Sequence, residues 1–192
     1  MLRALYDWVL SLAGHRHALW FLAAISFAES SVFPIPPDAL LVPMVLARPR
    51  RAWLIAGVCT ASSVAGGALG YLIGARLFDL VGLPVLEFYG RNADFADFAT
   101  QFNAHGAWAV LFAGLTPFPY KVITIASGAT GLDFTVFMLA SLLARGLRFF
   151  AVAALLWRFG PPIRGFIEAR LGLVATVSVL LLFGGFLLAR ML

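Results

Sequence analysis

The chain has 192 residues, of which 62% are hydrophobic and only 12% charged, and its mean hydropathy is +0.95. A soluble domain carries about 25% charged residues, so nine acids and fourteen bases are too few to coat a water-soluble globule of this length. The net charge of +5 comes from arginines set between apolar runs, the way a membrane chain records its orientation; no nucleic-acid partner is expected.

A bilayer core about 30 Å thick takes roughly 20 apolar residues in a helix, and the gaps between charges measure such runs. Residues 1–16 predict an interfacial N-terminal helix, with Leu2, Leu5, Trp8, Val9 and Leu12 on one face and Arg3 and Asp7 off it. Asp7 and His15-Arg16-His17 interrupt any signal-peptide core. Residues 18–47 are apolar but broken by Glu29, by Pro34, Pro36, Pro37 and Asp38, and by Pro43. Each half is too short to cross alone, and proline removes a backbone donor. Freed backbone groups at membrane depth are tolerated only where protein or a wet cavity satisfies them, so this segment predicts a re-entrant hairpin. Residues 52–75 carry no charge and predict a full span. Residues 76–105 read as a loop holding an interfacial helix over 92–104, where Phe95, Phe98 and Phe102 oppose Asp94, Asp97 and Gln101. Residues 107–131 predict a second re-entrant hairpin, broken by Pro117 and Pro119. Residues 134–157 form a second span, apolar except for Arg145 and Arg148, and residues 171–189 a third. The expected fold is an all-α integral membrane domain, with two re-entrant broken hairpins, about three full transmembrane helices and short amphipathic interfacial helices.

The chain repeats itself. A shift of 85 positions carries Phe27-Ala28 onto Phe112-Ala113 and Phe33-Pro34 onto Phe118-Pro119. Each unit is a broken hairpin followed by a full span. One crossing separates the hairpins, so they enter from opposite faces as an inverted repeat, the arrangement that puts a transporter site at mid-membrane. Arg3, Arg16, Arg48, Arg50 and Arg51 lie on the side of the N-terminus, and Arg158, Arg164 and Arg170 return to it after two crossings. The positive side is cytoplasmic.

Five charges fall within the predicted hydrocarbon: Glu29, Asp38, Lys121, Arg145 and Arg148, of which Lys121 is the chain's single lysine. Each costs roughly 2.5–3.5 kcal/mol at a helix centre, so they should face inward. Around one polar cavity their excess is positive, which suits an anionic headgroup held by Lys121, Arg145 and Arg148. Glu29 and Asp38 are the candidates for proton coupling. The alternative is that the charges only pair and fix the hairpins. Asp38 also reads as a plain N-cap of a half-helix starting at Ala39. Thr116, Thr124 and Ser127 offer hydroxyls around Lys121 or to freed backbone groups.

Gly66, Gly70 and Gly74 form a double G-x-x-x-G, a close-packing surface within the protomer or between copies of a homo-oligomer. His105 ends the interfacial helix, and Ser62 and Ser63 read as ordinary buried hydroxyls. The single cysteine, Cys59, excludes an intramolecular disulfide and a cysteine metal cluster. No G-x-S-x-G, H-E-x-x-H, P-loop or dinucleotide motif is present, so no enzyme, metal or cofactor is expected.

Together these residues resemble the DedA family, whose VTT (SNARE-associated) domain is shared with eukaryotic lipid scramblases. The resemblance rests on Phe27-Ala28-Glu29-Ser30-Ser31, Phe33-Pro34 and Pro36-Pro37-Asp38, then on Gly66-Gly67, Gly70-Tyr71 and Gly74. It continues through His105-Gly106, Thr116-Pro117-Phe118-Pro119-Tyr120-Lys121-Val122 and Thr124-Ile125-Ala126-Ser127-Gly128. Lys121-Val122 and Ala144-Arg145 with Arg148-Phe149 are similar to the YqaA-like branch. The resemblance implies two re-entrant hairpins about a central cavity in a bacterial inner membrane, with the N-terminus cytoplasmic. It also implies translocation of undecaprenyl phosphate or phospholipid, with acidic residues of the first hairpin and arginines of the second at work. Glu29 and Asp38 match the acidic pair. Leu115 stands where the second hairpin's first arginine belongs and Lys121 where its second does, so Arg145 and Arg148 supply the charge from the next helix. The expected partners are therefore membrane lipids, an anionic lipid substrate and protons. A proton- or cation-coupled exchanger of a small solute and a purely structural membrane protein are the alternatives.

Overall fold

The computed structural model describes residues 17–31, 36–90, 92–116 and 119–169. The expected interfacial helix at 1–16, the expected span at 171–189, and Pro34 and Pro117 lie outside them. The described residues form α1 (Ala18–Ser31), α2 (Asp38–Ala47), α3 (Ala52–Leu77), α4 (Leu83–Phe88), α5 (Asn92–Ala104), α6 (Gly106–Leu115), α7 (Tyr120–Ala129) and α8 (Phe134–Ala169). No strand occurs among them.

Two stretches, Pro49–Phe88 and Phe134–Gly160, are long and apolar enough to cross a membrane. The first outruns the expected span. Residues 76–88, read from sequence as loop, continue the helix through a π-helical turn at Phe78–Gly82 into α4. The reason is that Arg76, Asp79 and Glu87 are exposed there: a charge ends the hydrocarbon run without ending the helix. Pro84 lies in the first turn of α4, directly after that π-helical turn, and the helix continues through it. α8 likewise runs past residue 157. It kinks at Phe159 (φ −121°, ψ 17°), just ahead of Pro161, which cannot donate to the carbonyl four residues back.

Contacts along the two long helices give the direction of everything else. α1 runs parallel to the first half of α3: Leu22 shares a core cluster with Ala52 and Ile55, Ser26 meets Cys59, and Ser30 meets Ser63. α7 runs parallel to the second half of α3, from Tyr120 against Gly67 to Gly128 against Tyr71. On α8, Gly114 of α6 meets Ala144, while α2 continues beyond that point from Asp38 at Arg148 to Leu46 at Gly160. α3 and α8 are antiparallel: Trp53 stacks on Phe150 and lies beside Trp157, Ser63 meets Arg145, and Tyr71 meets Phe134 and Phe137. Thus α1–α2 and α6–α7 are two antiparallel helix pairs that approach from opposite ends of α3, with their broken ends meeting half-way along it.

In each unit the first short helix packs on its own unit's long helix, α1 on α3 and α6 on α8. The second crosses to the other unit's long helix, α2 to α8 and α7 to α3. Such an exchange is what two repeats around a two-fold axis produce.

The glycine row on α3 makes this closeness possible. A Cβ at Gly66 would fall on the Phe27 backbone, one at Gly70 on the Thr124 hydroxyl, and one at Gly74 on the Ile125 backbone. Gly66, Gly70 and Gly74 therefore face the short helices of the same chain. Around them the usual polarity is inverted. Trp20, Leu80 and Phe112 are at least 70% exposed, while Ser26, Ser30, Ser63, Thr124, Ser141 and Arg145 are buried. Apolar surface outside and hydrogen-bonded polar groups inside are stable where the surrounding solvent is hydrocarbon.

Candidate functional site

The broken ends meet around two arginines. Arg145 and Arg148 are one turn apart on α8 and both face the bundle. Arg145 is 3% exposed. Its Nη2 donates to Glu29 Oε2 at 2.8 Å and its Nε to Ser63 Oγ at 2.6 Å. Ser63 Oγ lies 2.7 Å from Ser30 Oγ, which donates to Glu29 Oε2 at 3.2 Å. These contacts close a ring that ties α1, α3 and α8 together. The guanidinium carbon also lies 4.8 Å from the Tyr120 ring centre and 4.6 Å from that of Phe149, a desolvated cation between two aromatic rings. Tyr120, fully buried, spends its hydroxyl on Ser141 Oγ. Tyr120→Phe leaves the Ser141 oxygen without that donor and is expected to cost about 1 kcal/mol, read as a fall of about 2–4 °C in apparent Tm.

Arg148 serves the other hairpin. Its Nη2 donates to Asp38 Oδ2 at 2.6 Å and its Nη1 to the Thr116 carbonyl at 2.8 Å. Thr116 follows α6 in an extended conformation (φ −86°, ψ 168°), which turns its carbonyl out of the helix. The arginine thus satisfies the backbone group that the break releases. The expectation that Asp38 caps a helix starting at Ala39 is corrected. Asp38 is the first residue of α2, Pro37 occupies the cap position in an α-helical conformation, and no side chain caps the helix. A charge-assisted bond to an arginine outweighs a single cap bond.

The geometry departs from the expected polar cavity. Instead of lining an open space, the two carboxylates and two arginines close on each other as two ion pairs. Lys121 is half-buried in the first turn of α7, and its carbonyl accepts Thr124 Oγ1 at 2.9 Å. The same hydroxyl lies 3.2 Å from the Ser30 carbonyl. Pro36, Pro37 and Pro119 flank the breaks. His105 sits at the junction of α5 and α6.

Ser63, Ser30 and the Tyr120 and Phe149 rings were not legible as site residues. A signal was present for the serines: Ser26-Ser30 on α1 and Cys59-Ser63 on α3 are both spaced by four, and Ser26 Oγ donates to the Cys59 carbonyl at 2.8 Å. Two such polar stripes at one helical spacing mark facing helices. Outside this seam an apolar groove of about 490 Å³ runs between α1 and α3, lined by Trp20, Ala23, Ala24, Phe27, Ala61, Ser62 and Ala65. Among the described residues no group of three His, Cys, Asp or Glu could hold a metal ion.

The VTT domain pattern matches residues 35–158, a stretch that holds Asp38, Ser63, Thr116 and both arginines. The chain belongs to the VTT domain family, that of DedA membrane proteins. An uncharacterized protein of Haemophilus influenzae is 36% identical over 151 residues, which cover 79% of this chain and 78% of its own. A second uncharacterized protein, from Histophilus somni, is 35% identical over the same shares of the two chains. No solved structure matches this VTT-domain protein.

Proposed function

We propose that this VTT-domain protein translocates an anionic lipid, a polyprenyl phosphate or a phospholipid, between the leaflets of a bacterial inner membrane. In this reading α3 and α8 cross the bilayer, the two short-helix pairs are inverted re-entrant hairpins, and the N-terminus is cytoplasmic. Lys121, Arg145 and Arg148 are the cationic groups that meet the headgroup. Glu29 and Asp38 release the arginines on taking up protons and so couple the cycle to them.

The observation that carries the reading is the position of the two ion pairs. They join carboxylates from one broken pair of helices to arginines on the opposing unit's long helix, half-way along two membrane-length helices. Charges at that depth are costly and are retained where they face a substrate path or one another. A site between two inverted units is where rocking one against the other gives alternating access. The test is flipping in proteoliposomes of a labelled polyprenyl phosphate and a labelled phospholipid. Wild type should flip one of them, and Arg148→Ala should lose about tenfold or more, the value of one charge-assisted headgroup bond. Wild-type flux equal to that of empty liposomes for both lipids, with and without a pH gradient, sinks the reading.

The closed ring around Arg145 favours a second reading, in which the charges only pair and hold the hairpins together. Neutralising them then lowers stability and leaves no flux to lose. Proton flux without lipid movement would instead indicate an exchanger of small solutes.

A further inference from the structure

The two ends of the bundle differ in charge. Arg48, Arg50, Arg51 and Arg158 are exposed at the end where α1 and α3 begin. Among the described residues no acidic side chain joins them, whereas Asp79, Asp94, Asp97 and Asp133 are exposed towards the other end. Arg50 and Arg51 lie on the 3-10 turn Pro49–Arg51, which packs against α8. Their side chains make no ion pair or hydrogen bond among the described residues. The Arg158 guanidinium lies 5.4 Å from the Phe159 ring centre, a contact that occupies none of its N–H donors.

Tryptophans lie directly inward of these arginines. The Trp53 ring centre is 6.1 Å from those of Phe150 and Trp157, yet Trp53 and Trp157 are each about half exposed. Helical residues three apart share a face, so Arg50 stands just beyond Trp53, and Arg158 directly follows Trp157. Trp20 is level with them, because Leu22 packs with Ala52 and Ile55. At the opposite end Trp108 is exposed two residues after Gly106, which faces Leu132, and the Leu132 carbonyl accepts from the Tyr71 hydroxyl. Trp53 and Tyr71 are about 27 Å apart at 1.5 Å of helix per residue, close to the thickness of a bilayer core. Tryptophan concentrates at both membrane–water interfaces, which puts the arginines at headgroup level.

We propose that Arg50, Arg51 and Arg158, with the Trp53–Trp157 pair beneath them, bind a resident anionic phospholipid, separate from any lipid that is translocated. Guanidinium forks donate to the phosphate oxygens, and the flat rings support the glycerol and the upper acyl chains. Basic clusters between helix ends hold anionic headgroups in this way. The bound anion relieves repulsion among the arginines and so fastens the start of α3 to α8. A phospholipid of zero net charge has the same phosphate but brings its own cation, which the arginines disfavour. The site does not rest on the translocation reading, whose ion pairs lie about 15 Å further along α3, at Ser63.

The experiment reads the apparent Tm of the full chain in detergent, titrated with phosphatidylglycerol, phosphatidylcholine or glycerol 3-phosphate. Phosphatidylglycerol should stabilise wild type, and the other two should need at least about tenfold more for the same rise. Without lipid, Arg50→Gln/Arg158→Gln should unfold no lower than wild type, since neither side chain makes a hydrogen bond or ion pair among the described residues. With phosphatidylglycerol it should need about tenfold more lipid, the value of one bond to a charged group. Arg76→Gln, exposed towards the far end, should respond as wild type does. An equal loss in Arg76→Gln would mean that the lipid answers to net charge alone, and it overturns the site. So does an equal response to phosphatidylcholine or to glycerol 3-phosphate. In proteoliposomes the double variant should flip lipid as wild type does; flux lost together with phosphatidylglycerol binding puts these arginines on the translocation path and overturns a separate site. Wild type that binds phosphatidylglycerol yet flips nothing sinks the translocation reading and leaves this site standing.

Discussion

Arg145→Ala is expected to lower the stability of the folded protein by about 3–5 kcal/mol, the cost of removing one partner from a buried ion pair. The cost arises mainly from what stays behind. Among the described residues Glu29 keeps only its bond from Ser30, and Ser63 loses the donor at 2.6 Å. The space between the Tyr120 and Phe149 rings is emptied. Because the ring of hydrogen bonds joins α1, α3 and α8, the loss should loosen the hairpin as a whole rather than one side chain. Thermal unfolding in detergent reads it directly. The double variant Arg145→Ala/Glu29→Ala provides the control: with both charges gone, the damage should fall short of the two single effects summed by about 1–3 kcal/mol. An Arg145→Ala protein that unfolds at the wild-type temperature would show that the ring holds nothing together.

Gly128→Ala and Gly74→Ala should be comparably severe for a different reason. A Cβ at Gly128 falls on the Tyr71 carbonyl of α3, and one at Gly74 falls on the Ile125 carbonyl of α7. The two glycines thus pack α3 and α7 backbone to backbone, and neither obstacle is a flexible side chain that can swing aside. Overpacking costs about 1–3 kcal/mol even in cores whose side chains can adjust, and here a helix must shift, so about 3 kcal/mol is expected for each. Gly57 supplies the contrast on the same helix. A Cβ there meets nothing within 4 Å, and Gly57→Ala should be neutral or stabilising by up to about 1 kcal/mol through helix propensity. Apparent Tm values in detergent should therefore move in opposite directions for Gly74→Ala and Gly57→Ala. If both fall alike, contact between helices is not what the row of glycines provides.

Much of the architecture was legible because it follows from local chemistry. Clustered prolines remove several backbone donors at once, so those at 34–37 and 117–119 placed the two breaks, with α1 ending at Ser31 and α7 beginning at Tyr120, whereas the single Pro43, also read as a break, lies inside α2. The 85-residue correspondence placed a long helix after each broken pair, as α3 and α8 are placed. The charge ruler failed at 76–88, where exposed charges lie along a helix that simply continues.

By itself, the sequence determined that the chain is all-helical and too apolar for water, where its helices break, and which charges carry a cost at membrane depth. These follow from composition and from interactions within a few residues. Only the tertiary structure decided which charges meet: Glu29 finds Arg145 across 116 residues and Asp38 finds Arg148 across 110. Any of the five could have paired otherwise or lined a cavity. The pairing depends on the second short helix of each unit crossing to the other unit's long helix, and that crossing is a property of packed backbones. Ser63 enters the site for the same reason: its hydroxyl resembles any other buried serine's until α8 lies against α3 and sets Arg145 beside it.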